Sequence, residues 1–303
     1  MSKSEPAASE GAARIPSPLQ ALLIWFTAAL AIVASGFVLA ALAAAAAALR
    51  GAHPTQVLTD PKASPLVNDA TWISVGTVLN ELSVLGTLGF WLWVMKTPRR
   101  IAFPVGRPSV LGVIGGLLLV FGSAPLAEVM GELMHRLTQN EVTASTVVVN
   151  AARSASGGGV VLLVFALGVM PALAEELLFR GLLTAPFERK FWLGLVVPSV
   201  LFGLFHLEPT QVAGTIVLGV GFAASRLCTG TLLTSMLVHL VYNTTVVLTV
   251  RYSDALVEHQ IALTPVLVGV ALSLLGAVIL WRERRVLVAR RAGMREAMPS
   301  WWI

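Results

Sequence analysis

Residues 158–185 read GGVVLLVFALGVMPALAEELLFRGLLTA. An apolar run of this length is what a helix needs to cross ~30 Å of hydrocarbon, about 20 residues. Yet it closes on two adjacent carboxylates and an arginine: Glu175, Glu176 and Arg180. An ionisable side chain inside a span costs roughly 2.5–3.5 kcal/mol on insertion scales and marks a functional position by default. The stretch therefore predicts a membrane helix and a chemical site together. Neighbouring helical residues point about 100° apart, so the two glutamates face different surroundings. Glu176 and Arg180 are four apart on one face, where they can pair. Glu175 is left to meet another helix. A glutamate beside an imidazole is a general-base arrangement. An interhelical ion-pair network without chemistry is the competing reading of this cluster.

Composition agrees about the solvent. The chain has 303 residues, 56% hydrophobic and only 12% charged, with a mean hydropathy of +0.81. A soluble domain carries about a quarter charged residues. A net charge of +5 and a pI near 10 would suit a nucleic-acid binder, but the arginines gather at the ends of apolar runs, as the positive-inside rule places them. No basic face with interleaved aromatics accompanies them. The lipid bilayer, not nucleic acid, is the implied partner. Cys228 is the only cysteine, which excludes a disulfide within the chain and a cysteine-only metal site.

Eight apolar segments follow one another, at roughly 19–49, 72–95, 109–131, 158–185, 191–207, 210–227, 231–250 and 261–281. The pattern predicts an all-α, polytopic transmembrane helical bundle of about eight spanning helices. Residues 1–17 read as a disordered cytoplasmic tail, 18–281 as the membrane domain with its core about 158–250, and 282–303 as a basic cytoplasmic tail. The first apolar run is about twice as long as a signal-peptide core, so it reads as a retained span. The Gly-rich stretch 153–159 reads as a flexible entry to the fourth helix. Lys96, Arg99, Arg100 and Arg107 follow the second run, Arg189 and Lys190 the fourth, and Arg282, Arg284, Arg285, Arg290, Arg291 and Arg295 the eighth. They share one side if both termini are cytoplasmic. Trp301 and Trp302 would then sit at the inner interface. The expected location is a bacterial inner membrane.

Two further polar clusters interrupt the apolar runs. Phe202 and His206 close the fifth segment, just before Glu208-Pro209. Taken alone, a histidine at a helix end is more often structural. His239 and Asn243 lie four apart in the seventh segment, side by side on one face, where hydrogen-bonded glue between helices is the alternative to chemistry. At 1.5 Å per residue, Glu175 lies roughly 15 Å inward from the cytoplasmic end of its helix, His206 roughly 22 Å, and His239 to Asn243 roughly 12–18 Å. The depths overlap, so the three clusters can converge. Asn80 and Glu81 in the second segment and Glu128 in the third are the other polar residues at membrane depth.

The clusters, Glu175-Glu176-x-x-x-Arg180, Phe202-x-x-x-His206 and His239-x-x-x-Asn243, resemble the three motifs of the CAAX proteases and bacteriocin-processing enzymes, the CPBP family, in order and on successive apolar segments. The resemblance covers about 158–250. It implies an intramembrane endopeptidase with Glu175 as the base, His206 helping to activate water, and His239 and Asn243 at the oxyanion site. Glu176, Arg180 and Phe202 support them. It leaves metal open, since the family is described both as metallopeptidases and as glutamic peptidases. No His-Glu-x-x-His helix is present. Asn243 suits an oxyanion better than a metal, so no cofactor is favoured; zinc held by Glu175, His206 and His239 is the alternative. The implied partner is a membrane-associated protein or peptide substrate. A myxosortase-like branch would remove a C-terminal sorting or anchor tail. The rival classes are a proton-coupled transporter, which needs polar residues continuing along a path, and a non-catalytic scaffold or immunity protein, which loss of a motif residue would favour.

Overall fold

The computed structural model describes residues 15–51, 53–60, 64–139, 143–253 and 263–296. These form helices joined by turns: α1 (Pro18–Leu49), α2 (Ala70–Met95), α3 (Val110–Thr138), α4 (Ala144–Ser154), α5 (Gly158–Leu183), α6 (Phe191–Phe205), α7 (Pro209–Thr229), α8 (Leu232–Tyr252) and α9 (Leu263–Glu296), with single helical turns at Gln56–Thr59, Pro65–Asn68 and Arg99–Ala102. Seven are long and apolar enough to cross a membrane. Many of their large apolar side chains point outward, as in Leu30, Phe37, Trp93 and Leu274. That is the expected surface of a bundle whose solvent is lipid.

The helix starts follow local chemistry. Ser17 and Gln20 form a reciprocal capping box on α1, and Pro18 occupies its first turn, where a missing N–H costs nothing. Asp69, Ser109, Glu208 and Thr231 cap α2, α3, α7 and α8 through their side-chain oxygens. These caps satisfy N–H groups that hydrocarbon cannot solvate.

Three departures from the sequence-based expectations matter. The fifth apolar segment makes a helix of only 15 residues, about 22 Å long, which is short of a full span. It turns at His206 and Leu207, the latter at φ 58, and α7 returns beside it. Second, the stretch between the third and fourth apolar segments, 132–157, contains α4, and α3 runs on to Thr138. The α4 sequence is amphipathic and too polar to register as a span. It packs Ala151, Ala152 and Ala155 against Ile73, Leu163, Val247 and Val250. The chain then reverses at Gly157, φ 50, directly into α5. Third, the basic tail begins inside α9, which continues through Glu296. The terminal calls at 1–14, and on Trp301 and Trp302, lie outside the described residues.

Packing places α3 against α7, α8 and α9, and α1 against α2. The α6–α7 hairpin closes over α5. Trp25 Nε1 donates to the Leu201 carbonyl (2.8 Å) and Trp91 Nε1 to Thr27 Oγ1 (2.8 Å), locking α1 between α6 and α2. The core so formed holds Ile24, Val84, Leu178, Phe179, Phe202, Phe205 and Phe222. It wraps around the charged residues of α5.

Candidate active site

The site is built on a helix that is twice out of α register. Within α5, Phe165–Val169 and Glu176–Leu183 are π-helical. Wide turns of this kind are uncommon and cluster at functional positions. The second wide turn carries Glu176 and Arg180, and the residue before it is Glu175.

Glu176 and Arg180 are fully buried. Arg180 donates to Glu176 Oε1 (2.8 Å) and to the Gly219 carbonyl of α7 (3.0 Å). Its guanidinium lies 4.3 Å from the centroid of Phe202 and 5.2 Å from that of Phe222, so its faces meet aromatic rings rather than lipid. The fit here is tight: a Cβ at Gly219 would sit 3.1 Å from the Phe202 ring and 3.3 Å from Ser199.

His239 Nδ1 lies 3.0 Å from the same Glu176 oxygen. A carboxylate oxygen already held by arginine accepts, so Nδ1 carries the proton. Asn243 Nδ2 is 3.1 Å from the Leu167 carbonyl and 3.1 Å from His239 Nε2. The atom facing a carbonyl must be the amide nitrogen, and its two hydrogens serve both contacts. His239 Nε2 is therefore an acceptor and the ring is neutral in this arrangement. Phe222 stacks on the ring at 4.3 Å and 18°. The polar path is continuous: Arg180, Glu176, His239, Asn243, Leu167 carbonyl.

Glu175 lies on the other side of the turn. It is buried, with 8% of its surface exposed, and its Oε2 is 3.8 Å from His239 Nε2. Among the described residues nothing donates a hydrogen bond to its carboxylate. The α2 helix packs against this part of α5 and brings Glu81 close enough for its charge to act on Glu175. Glu81 is itself buried, and its Oε2 lacks a hydrogen-bond partner.

His206 caps the C-terminus of α6, half-buried, with Nδ1 2.9 Å from the Phe202 carbonyl. A carbonyl only accepts, so Nδ1 is the donor and Nε2 keeps its lone pair. The Phe202 ring joins the two histidines, 4.9 Å from His206 and 6.1 Å from His239 between ring centroids.

The fold thus brings Glu175, Glu176, Arg180, His239 and Asn243 into direct register and links His206 through Phe202. Sequence reasoning did not find the carbonyls of Leu167 and Gly219 or the ring of Phe222. The only sequence signal for the first two was small or helix-breaking residues beside the motif positions. Among the described residues no three of His, Cys, Asp and Glu are placed to hold a metal ion. Of the three residues Glu175, His206 and His239, the first and last approach to 3.8 Å at His239 Nε2.

Compared with known proteins, the chain matches the family model described as type II CAAX prenyl endopeptidase Rce1-like over residues 157–245. The match takes in α5 through most of α8 and all seven motif residues. No curated protein and no solved structure matches the chain.

Proposed function

We propose that this chain, whose residues 157–245 match the Rce1-like CAAX prenyl endopeptidase model, is an intramembrane endopeptidase of the CPBP type that cleaves a membrane-associated protein substrate with Glu175 as the proton-transfer group. The observation that carries the reading is the contrast between adjacent glutamates. Glu176 is fully buried with its Oε1 shared by Arg180 and His239, whereas Glu175 makes no hydrogen bond among the described residues and keeps 8% of its surface exposed, so its lone pairs are open to water.

In the proposed reaction the Glu175 carboxylate takes a proton from a water that also donates to His206 Nε2. The resulting hydroxide adds to the substrate carbonyl carbon and forms a tetrahedral oxyanion. Asn243 keeps one N–H on the Leu167 carbonyl as an anchor and turns the other from His239 Nε2 to the oxyanion. Donors fixed in advance at such a position are worth several kcal/mol, roughly 2.7–4 for one donor. His239 holds Asn243 in place while neutral, and it becomes a second oxyanion donor only when its Nε2 is protonated. Glu175 then gives its proton to the departing amine, the C–N bond breaks, and a carboxylic acid and an amine result. No step requires a metal. Activity that survives strong chelation, in protein without stoichiometric zinc, is the expected outcome; stoichiometric zinc lost together with activity would overturn the metal-free form.

For the substrate, we propose a membrane protein with a C-terminal anchor or sorting tail cut at the depth of the His206 corner, with both chain termini cytoplasmic in a bacterial inner membrane. The test is mass spectrometry of membrane-protein C-termini in cells carrying the wild-type chain, Glu175→Ala or His206→Ala. New C-termini that depend on both residues support the proposal. Identical termini in all three strains, with each variant inserted and abundant, would refute it.

A further inference from the structure

We propose that Pro171 is a positioning residue for Asn243: by withholding a backbone N–H from the Leu167 carbonyl, it keeps that carbonyl available as the anchor of the Asn243 amide. This rests on the reading of Asn243 as the oxyanion donor.

A helix returning from the wide Phe165–Val169 turn to α register at residue 171 would pair that residue's N–H with the carbonyl of residue 167, or with that of residue 166 if the wide register continued. Residue 171 is a proline, which has none. Pro171 is buried within α5, immediately after the π-helical Phe165–Val169, where the Met170 N–H already reaches back to the Phe165 carbonyl. A carbonyl facing a neighbouring helix in a membrane bundle is satisfied by a donor from that helix. The donor it receives is Asn243 Nδ2 at 3.1 Å, from α8. The crossing is close enough for this because residue 168 is glycine: a Cβ there would lie 2.7 Å from Thr244 Oγ1, next to Asn243. Gly168 opens the approach and Pro171 leaves the acceptor unclaimed. With one hydrogen spent on Leu167, the Asn243 amide plane is fixed and its second hydrogen points at His239 Nε2.

The test uses the full chain in lipid nanodiscs. Thermal midpoints are measured for wild type, Pro171→Ala, Asn243→Leu and the double variant. Asn243→Leu lowers the midpoint in the wild-type background, where it strands the Leu167 carbonyl. In the Pro171→Ala background residue 171 supplies an N–H, and the drop is about half as large or less, the coupling expected of residues that share a partner. Equal drops in both backgrounds overturn the proposal. If Asn243→Leu does not fold, Asn243→Ser takes its place in the cycle with the same expectation. Rates are read on a farnesylated, internally quenched CaaX peptide. Pro171→Ala retains the wild-type KM and loses at least about tenfold in kcat, within the ~100-fold that an ångström of misplacement costs, although its midpoint is unchanged or higher. Wild-type kcat in Pro171→Ala overturns the positioning role. A coupled thermal cycle in a chain that cuts neither this peptide nor any membrane protein would refute the peptidase reading and leave the Pro171–Asn243 linkage standing.

Discussion

The two faces of the α5 turn at Glu175-Glu176 place the same side chain in opposite surroundings. On one face Glu176 and Arg180 are sealed from all solvent, bonded to each other, to His239 and to the Gly219 carbonyl, and walled by Phe202 and Phe222. On the other, Glu175 reaches a slightly open space, with His239 Nε2 at 3.8 Å and Glu81 on the facing α2. The same side chain, one residue apart, is structural in one place and available for chemistry in the other. A buried ion pair costs a desolvation penalty that its own attraction only partly offsets. Here the offset comes from the extra acceptor and the two aromatic faces. The sealed face holds the geometry, and the open face is free to change protonation without unfolding the site.

The largest effect separates the two faces directly. Glu175→Gln keeps size and removes the proton acceptor, so peptide cleavage falls at least about 100-fold, in the range a general base contributes. The thermal midpoint in nanodiscs stays within a degree or two of wild type, about the shift expected where no partner is lost. A drop in midpoint as large as that of Arg180→Met would mean that Glu175 is as structural as Glu176, and the contrast between the faces would be broken.

The next effect lies on the sealed face. Arg180→Met leaves Glu176 as an uncompensated buried charge, at a cost of about 3–5 kcal/mol, and the folded fraction should fall accordingly in a denaturant titration. Adding Glu176→Gln removes that charge, and Gln can still accept from His239 Nδ1, so the double variant should recover most of the lost stability. If it is no more stable than Arg180→Met, the cost came from lost packing against Phe202 and Phe222 rather than from the stranded carboxylate.

Local spacing made part of this arrangement legible. The four-residue steps Glu176 to Arg180 and His239 to Asn243 put each pair on one helical face, and each pair does meet, at 2.8 and 3.1 Å. Spacing could not reveal that His239 spends its other nitrogen on Glu176, because that contact joins residues 63 apart in the chain. Nor could it show that Asn243 ends on a carbonyl, since backbone acceptors carry no letter of their own. The π register of α5 was hidden for the same reason, although Pro171 hinted that the hydrogen-bond ladder breaks there. Hydropathy found every long helix but overlooked α4, whose 11 residues are partly polar and bury only Ala151 and Ala152 fully among those described. It also overrated α6, because an apolar run does not say where the chain will turn back.

The smallest expected effect probes how far the sealed face depends on what lies behind it. An aromatic ladder runs from Trp25 on α1 to Phe205 (6.4 Å), on to Phe179 (5.1 Å) and then to Phe202 (5.2 Å), whose ring faces Arg180 and both histidines. Trp25 also donates its indole N–H to the Leu201 carbonyl. Trp25→Phe keeps a ring in the ladder but loses this hydrogen bond, at a cost of about 1 kcal/mol. Since α1 contributes no polar atom to the network, kcat on the quenched peptide should stay within about twofold, as for a substitution that moves no catalytic group. A tenfold loss of kcat at nearly unchanged stability would extend the site's supporting frame through the ladder to α1, well outside the family-matched residues 157–245. The sealed face would then be only as rigid as the helix that backs it.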